Sequence, residues 1–222
     1  MTPHTEILPP SQKWAWPQLG QFKDFVLYGG TALALRHGHR TSTDFDFFGS
    51  QPFDPLTLKQ KFPLLAAAKI LQASENTLTT NVPTPHGDVQ ISIFGNLAFG
   101  RIGTPDHIHE NDLRIASDLD IAVQKLKVIQ GRAHEKDYLD LDTLFQTGTS
   151  LAQALASAEI LYPGFPETWA IKALTYFKDV KDLPEDVKKR LINVANNFIR
   201  TTLPIKPPPH SIDAPATKPL LS

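Results

Sequence analysis

Apolar positions follow a period of two in a few short stretches and a helical period in longer ones, dividing the chain into a first half mixing strands and helices and a helical second half. The short apolar run Phe25-Val26-Leu27-Tyr28 ends in two glycines and predicts a strand over about 24–28. A short helix over Thr31 to His37 follows, with Gly38 suited to its C-terminal cap. The loop Gly38-His39-Arg40-Thr41-Ser42 feeds a second strand in which Asp44 and Asp46 alternate with Phe45 and Phe47. Leucines and alanines at helical spacing from Pro55 to Ala73 predict one helix, kinked or restarted at Pro63. The β-rich runs Asn76 to Val82 and Asp88 to Phe94 flank Pro83-Thr84-Pro85-His86-Gly87 and read as a hairpin.

In the second half, Ser117 is an N-cap by residue type for a helix through Arg132, with Leu119, Ala122, Val123, Leu126 and Ile129 on its apolar face. Shorter helices are expected over about 135–146, 150–161, 166–178 and 184–200. The ends differ in composition. Residues 1–17 hold four prolines with Trp14 and Trp16, which suggests an irregular start that docks through its indoles. From Leu203 onward, prolines and sparse apolar residues prevent a helix and leave little to pack. No internal repeat is visible. The expected division is an irregular segment over 1–18, a core over 19–112, a helical domain over 113–202 and a proline-rich disordered tail over 203–222.

The 222 residues suffice for one well-buried domain or two small ones, and 41% apolar with 20% charged content is that of an ordinary globular protein. A net charge of −1 supplies no global basic signature, so contact with nucleic acid needs a local patch. With no cysteine, disulfides and thiolate metal sites are excluded. No apolar run nears the ~20 residues of a membrane span, and the N-terminus lacks the basic-then-apolar pattern of a signal peptide. A cytoplasmic enzyme is expected.

The chemistry concentrates between Gly29 and Asp46. Two glycines that close a strand and open a helix set bare amides and the positive end of the helix dipole against a phosphate. In the following strand, side-chain alternation sends both carboxylates to one face, about 6.6 Å apart. Asp44 and Asp46 are therefore the expected ligands of one or two Mg²⁺ ions, which would offset the charge of a nucleoside triphosphate during in-line displacement at its α-phosphorus. Gly29, Gly30 and Thr31 are expected to hold the departing phosphates through amides and the threonine hydroxyl, since a Cβ would keep a phosphate away. Arg40 and Ser42 join the nucleotide-binding candidates, Ser42 together with Thr43 as residues that orient the loop. Alone, Gly-Gly is a turn and Asp-x-Asp a solvated strand edge; their order and spacing here favour a site.

A second cluster lies in the helical half. Lys125 and Arg132, seven apart, present cations from one stripe of the expected helix, and Asp137 and Asp140 share a face at i, i+3. Lysine is a compact charge for phosphates, and Asp137 could orient it or accept the proton of an attacking hydroxyl. The plainer reading is a solvated pair of helices with weak surface salt bridges. His37-x-His39 and His107-x-His109 lack a third ligand and read as loop residues rather than a metal site. Lys178, Lys181 and Lys188-Lys189-Arg190 form the one basic concentration, either a contact for an RNA backbone or a solvated face.

The stretch Tyr28 to Phe48, Tyr-Gly-Gly-Thr-Ala-Leu-Ala-Leu-Arg-His-Gly-His-Arg-Thr-Ser-Thr-Asp-Phe-Asp-Phe-Phe, resembles the signature of the AbiEii/AbiGii toxin-type nucleotidyltransferases of the polymerase-β-like superfamily. Leu119 to Leu126, followed by Arg132 and Lys136-Asp137-Tyr138-Leu139-Asp140-Leu141, is similar to that family's second signature, and Lys172 to Phe177 resembles its C-terminal helical segment. The resemblance spans about 20–200. It implies an α+β fold, a polymerase-β-like nucleotidyltransferase core with a mixed sheet and flanking helices, followed by a C-terminal helical domain. It also implies a nucleoside triphosphate and Mg²⁺ as ligands, with Gly30, Thr31, Asp44, Asp46, Lys125 and Asp137 matching the positions that carry nucleotide transfer. The implied acceptor is RNA, in particular tRNA, and the implied role is the toxin of a toxin–antitoxin or phage-defence pair, with a cognate antitoxin as partner.

One departure stands out. Polymerase-β-like enzymes generally carry a third carboxylate on the strand after Asp-x-Asp, and here that strand reads Asp88-Val89-Gln90-Ile91-Ser92-Ile93-Phe94, with Ser92 or Gln90 at the central position. Asp137 is the favoured replacement; Asp88, or a weakly held metal, are the alternatives. The function expected is Mg²⁺-dependent transfer of a nucleoside monophosphate to the 3′ end of an RNA. Nucleotidylation of a partner protein, or a nucleotide-binding regulatory subunit without turnover, are the competing readings.

Overall fold

Two glycines directly after the first strand determine how the fold begins around them. The structure, a computed structural model, describes residues 1–200 and 211–214. These residues fall into two compact units, Met1–Ala116 with the described residues 211–214, and Ser117 onward to residue 200.

The first unit holds α1 (Pro10–Ala15), β1 (Val26–Tyr28), α2 (Gly29–His37), β2 (Asp44–Phe48), α3 (Pro55–Lys61), β3 (Lys69–Ser74), β4 (Thr77–Val82), β5 (Val89–Phe94), β6 (Asp106–Ile108) and β7 (Leu113–Ile115). Its strands form one seven-stranded mixed sheet in the order β3-β4-β5-β2-β1-β7-β6. β2 lies between β1, to which it is antiparallel, and β5, to which it is parallel. The register stacks Leu27, Phe45, Phe47, Leu78, Ile91 and Ile93 on one face, all fully buried. Each such side chain contributes about 1.5–3 kcal/mol by leaving water. Asp44, Asp46, Gln90 and Ser92 occupy the opposite face, as side-chain alternation requires.

Several elements differ from expectation. The helix from Pro55 stops at Lys61, a 3-10 turn spans Pro63–Leu65, and Lys69–Ser74 is a strand. Pro63 cannot donate to a continuing helix. Asn76, at φ 58, closes a tight reversal between β3 and β4. The short strands β6 and β7 were not foreseen; β7 lies inside the sheet beside β1 and carries the first unit to Ala116. The N-terminal segment is partly helical. Of its indoles, Trp16 is buried and Trp14 is exposed. The tail from 203 lies outside the described residues except for 211–214, of which 212–214 pack. Ile212 is fully buried, and the Asp213 carboxylate accepts from the Ser50 amide (2.9 Å) and hydroxyl (2.7 Å).

The second unit is helical: α4 (Asp118–Val128), α5 (Glu135–Gln146), α6 (Leu151–Leu161), α7 (Glu167–Thr175) and α8 (Glu185–Asn196). Ser117 caps α4, its hydroxyl accepting from the Asp120 amide at 3.2 Å. The helix ends at Val128, where Gly131 turns back onto the Val128 carbonyl, so Arg132 lies beyond it and not on the stripe of Lys125. α5 buries three aspartates, Asp137, Asp140 and Asp142. Arg190 grips Asp142 with two bonds, Nε to Oδ1 at 2.8 Å and Nη2 to Oδ2 at 2.7 Å, tying α8 to α5. Much of the expected basic concentration is thereby neutralised, since Arg190 also meets Asp186 at 2.7 Å and Lys188 meets Glu185 at 2.6 Å.

Candidate active site

In the first unit, α2 begins at Gly29 with no residue intervening after β1. Gly29 has φ +74, a left-handed conformation that favours glycine, and a Cβ there would lie 2.6 Å from Asp46 Oδ2. At Gly30 a Cβ would strike the Arg40 guanidinium and come within 3.1 Å of Ser42 Oγ. The two glycines thus let the helix start approach both the second carboxylate and the loop cation. The N-cap residue Tyr28 makes no side-chain cap bond, and the first turn of α2 holds no acidic residue.

The Thr31 hydroxyl donates to the Asp44 carbonyl, and Thr31 is fully buried. It pins the start of β2 against α2, which gives it a positioning role beyond its amide. Asp44 is exposed and Asp46 half-buried, while Phe45 and Phe47 anchor the strand from the other side. Ser42 is buried beneath the loop. Gly29, Gly30, Thr31, Arg40, Ser42, Asp44 and Asp46 are therefore gathered at one end of β1 and β2. Ser92 is the direct partner of Asp46 across β2 and β5, and Gln90 that of Asp44. The position beside the second carboxylate holds a buried hydroxyl, and Asp88 precedes β5 at an exposed position. Among the described residues no three His, Asp or Glu side chains converge as a metal cage.

In the second unit, Lys125, Arg132 and Asp137 meet. Lys125 Nζ donates to Asp137 Oδ1 at 2.8 Å and pairs with Asp140 Oδ2 at 2.5 Å. Arg132 reaches the same carboxylate through Nε at 2.9 Å and Nη2 at 3.3 Å. Burial alone would push the Asp137 carboxyl up; Lys125 and Arg132 together outweigh it and hold the group below its ordinary value. Both oxygens of Asp137 accept from cations of its own unit. Asp140 shares this face, as its spacing from Asp137 implies, and closes the charge around Lys125 through the packing of α4 on α5, which no local pattern encodes.

A helix opened by glycines against a strand with paired carboxylates, within a mixed sheet and followed by helices, is the architecture of a nucleotidyltransferase-type α+β protein. It is shared with a solved antigenic nucleotidyltransferase-like protein from Paracoccidioides brasiliensis, at a TM-score of 0.56 and 16% identity, covering 86% of this chain and 95% of that one. The chain belongs to the AbiEii family of toxin nucleotidyltransferases, whose profile, described as "Nucleotidyl transferase AbiEii toxin, Type IV TA system", matches residues 15–209. It is 32% identical over 186 residues to the uncharacterized protein aq_aa25 of Aquifex aeolicus strain VF5, covering 82% of this chain and 88% of that protein. The toxin MenT4 of Mycobacterium tuberculosis H37Rv superposes with a TM-score of 0.49 at 16% identity, over 83% of this chain and 84% of that one. Among the described residues no helix is long and apolar enough to cross a membrane.

Proposed function

We propose that this toxin nucleotidyltransferase moves a nucleoside monophosphate from a nucleoside triphosphate to the 3′ hydroxyl of an RNA, tRNA first among the candidates. The hydroxyl oxygen bonds to the α-phosphorus, the bond to the bridging oxygen breaks, pyrophosphate leaves, and the hydroxyl proton passes to water. The observation that carries this reading is the approach of Gly29 to Asp46 at the start of α2. Amides of Gly30 and Thr31 suit the departing phosphates, and Arg40, against Gly30 and Ser42, adds a cation.

Asp44 and Asp46 fit Mg²⁺ as a pair of hard oxygen donors on one face of β2. That ion is commonly held by one or two carboxylates, with substrate phosphates and water completing the shell. Bound there, it would offset the charge of the triphosphate. A two-carboxylate set suits the serine at position 92 and removes the need for Asp137 as a ligand. In this reading Lys125 and Asp137 are positioning residues. Lys125 fixes Asp137, and Asp137 fixes Arg132, whose half-exposed guanidinium is offered to phosphate. The family description supports an antitoxin partner; a role in phage defence and a cytoplasmic location belong to the same proposal.

The test is incubation with each α-³²P-labelled nucleoside triphosphate, Mg²⁺ and total tRNA, followed by a denaturing gel, with Asp46→Asn alongside. Label on tRNA with the wild type alone supports the reading and names the base. Label on a polypeptide moves the acceptor to protein, and equal label with Asp46→Asn refutes the metal assignment.

A further inference from the structure

A cleft of about 690 Å³ lies wholly within the second unit, between the outer face of α7 and the turn after α4. Its volume is that of a small-molecule or nucleotide pocket. Trp169, Lys172, Ala173 and Tyr176 form one wall, their spacing placing them on a single helical face. Trp169 is 67% exposed and Tyr176 51%, so two large rings stand in water within one cleft. Lys172 Nζ lies 5.2 Å from the centre of the indole ring. Arg132 lines the opposite side, its side chain 53% exposed and its Nε held by Asp137.

The wall is braced from beneath. The Tyr138 hydroxyl donates toward the carbonyls of Ala173 at 3.2 Å and Tyr176 at 3.4 Å, and its ring meets Phe177 edge-on at 5.7 Å. Rigid aromatic faces flanked by cations are what an unstacked nucleotide requires: rings accept the base and cations accept the backbone phosphate. Asp179, the carboxylate in the lining, suits an exocyclic amine of the base. The paired cations favour a polyanion over an apolar protein face.

We propose that this cleft binds an unstacked nucleotide of the single-stranded RNA acceptor, its base on Trp169 and an adjoining phosphate at Lys172 and Arg132. The inference rests on the RNA-acceptor reading above. It is tested by anisotropy of a short fluorescein-labelled single-stranded oligoribonucleotide, with nucleoside triphosphate binding measured by calorimetry, on wild type, Trp169→Ala, Trp169→Phe and Lys172→Gln. Trp169 is exposed, so these variants keep the fold, which circular dichroism checks. Trp169→Ala is expected to weaken the oligoribonucleotide about 5- to 100-fold, with most of the loss recovered in Trp169→Phe and triphosphate affinity unchanged. Lys172→Gln lowers the salt dependence by about one released counterion. Unchanged RNA affinity in Trp169→Ala overturns the proposal. So does weakened triphosphate binding with RNA intact, which assigns the cleft to the base of the donor. Failure of the transfer reading is seen separately, as the absence of Asp46-dependent label.

Discussion

Asp46 and Ser92 are direct neighbours in the parallel register of β2 and β5, so a buried hydroxyl stands where a carboxylate would complete a three-residue metal set. From β4, Thr79 Oγ1 donates toward Ser92 Oγ at 3.4 Å. Ser92→Asp places a charge in this buried position and is expected to cost about 2–3 kcal/mol without metal. Mg²⁺ then offsets that charge, so its saturating addition raises the melting temperature of Ser92→Asp by about 4 °C or more beyond its effect on the wild type. Differential scanning calorimetry with and without Mg²⁺ reads the difference. Equal responses would separate Ser92 from the metal face.

Gly29 faces Asp46 across a gap that admits no Cβ. Gly29→Ala adds left-handed backbone strain of about 1–2 kcal/mol and displaces the carboxylate. Urea unfolding reads the strain, and a rate assay is expected to show a fall in kcat/KM of at least about tenfold, the equivalent of 1.4 kcal/mol. Full turnover with the strain present would show that the position of Asp46 tolerates displacement.

The legible part of this fold was the part written in local pattern. Gly-Gly after an apolar run, Asp-Phe-Asp-Phe, and the run of alternation from Val89 to Phe94 each specify their own geometry, and the structure assembles them around β2. Three-residue strands such as β6 and β7 carry too few positions for a period to show, and their pairing is fixed only by the sheet they join. The Ala66-Ala67-Ala68 run carried a helical pattern past Pro63 into what became β3, because alanine suits a helix and reveals nothing of the hairpin that recruits the segment. In the second unit the residue types were legible and their partners were not. Lys125 and Arg132 meet at Asp137 although Arg132 has left the helix, and Arg190 is spent on Asp142.

Asp137 gives stability a pH dependence of definite sign. Its carboxyl lies below the ordinary 3.8 in the folded chain, because Lys125 and Arg132 together outweigh its burial. The folded state thus binds this proton less readily than the unfolded chain does. The stabilisation is complete above the unfolded value and is lost as pH falls through the lower folded one. Urea midpoints of wild type and Asp137→Asn between neutral pH and strong acid are expected to converge below pH ~4, with the variant about 3 kcal/mol less stable near neutrality because it leaves the buried Lys125 short of a carboxylate. Parallel curves would deny the pairing any part in acid sensitivity.

Ile212 lies far along the chain from every strand, yet it is fully buried in the first unit. Asp213 binds Ser50 through amide and hydroxyl, Arg114 Nη1 donates to the Asp213 carbonyl at 2.5 Å, and Arg101 Nη2 reaches the Ala214 carbonyl at 3.0 Å. Four residues with this many directed bonds act as a strap rather than as passive tail. The buried isoleucine gives the strap its apolar anchor, and the arginines satisfy the carbonyls that burial would otherwise leave unpaired. Ile212→Ala is expected to lower stability by about 2–4 kcal/mol, and Asp213→Ala by about 1–2 kcal/mol through the lost bonds to Ser50. Urea unfolding followed by tryptophan fluorescence reads both, since Trp16 is buried in the same unit. A chain truncated after residue 210 that unfolds at the wild-type midpoint would show that the strap adds nothing, and that the first unit is complete without its returning end.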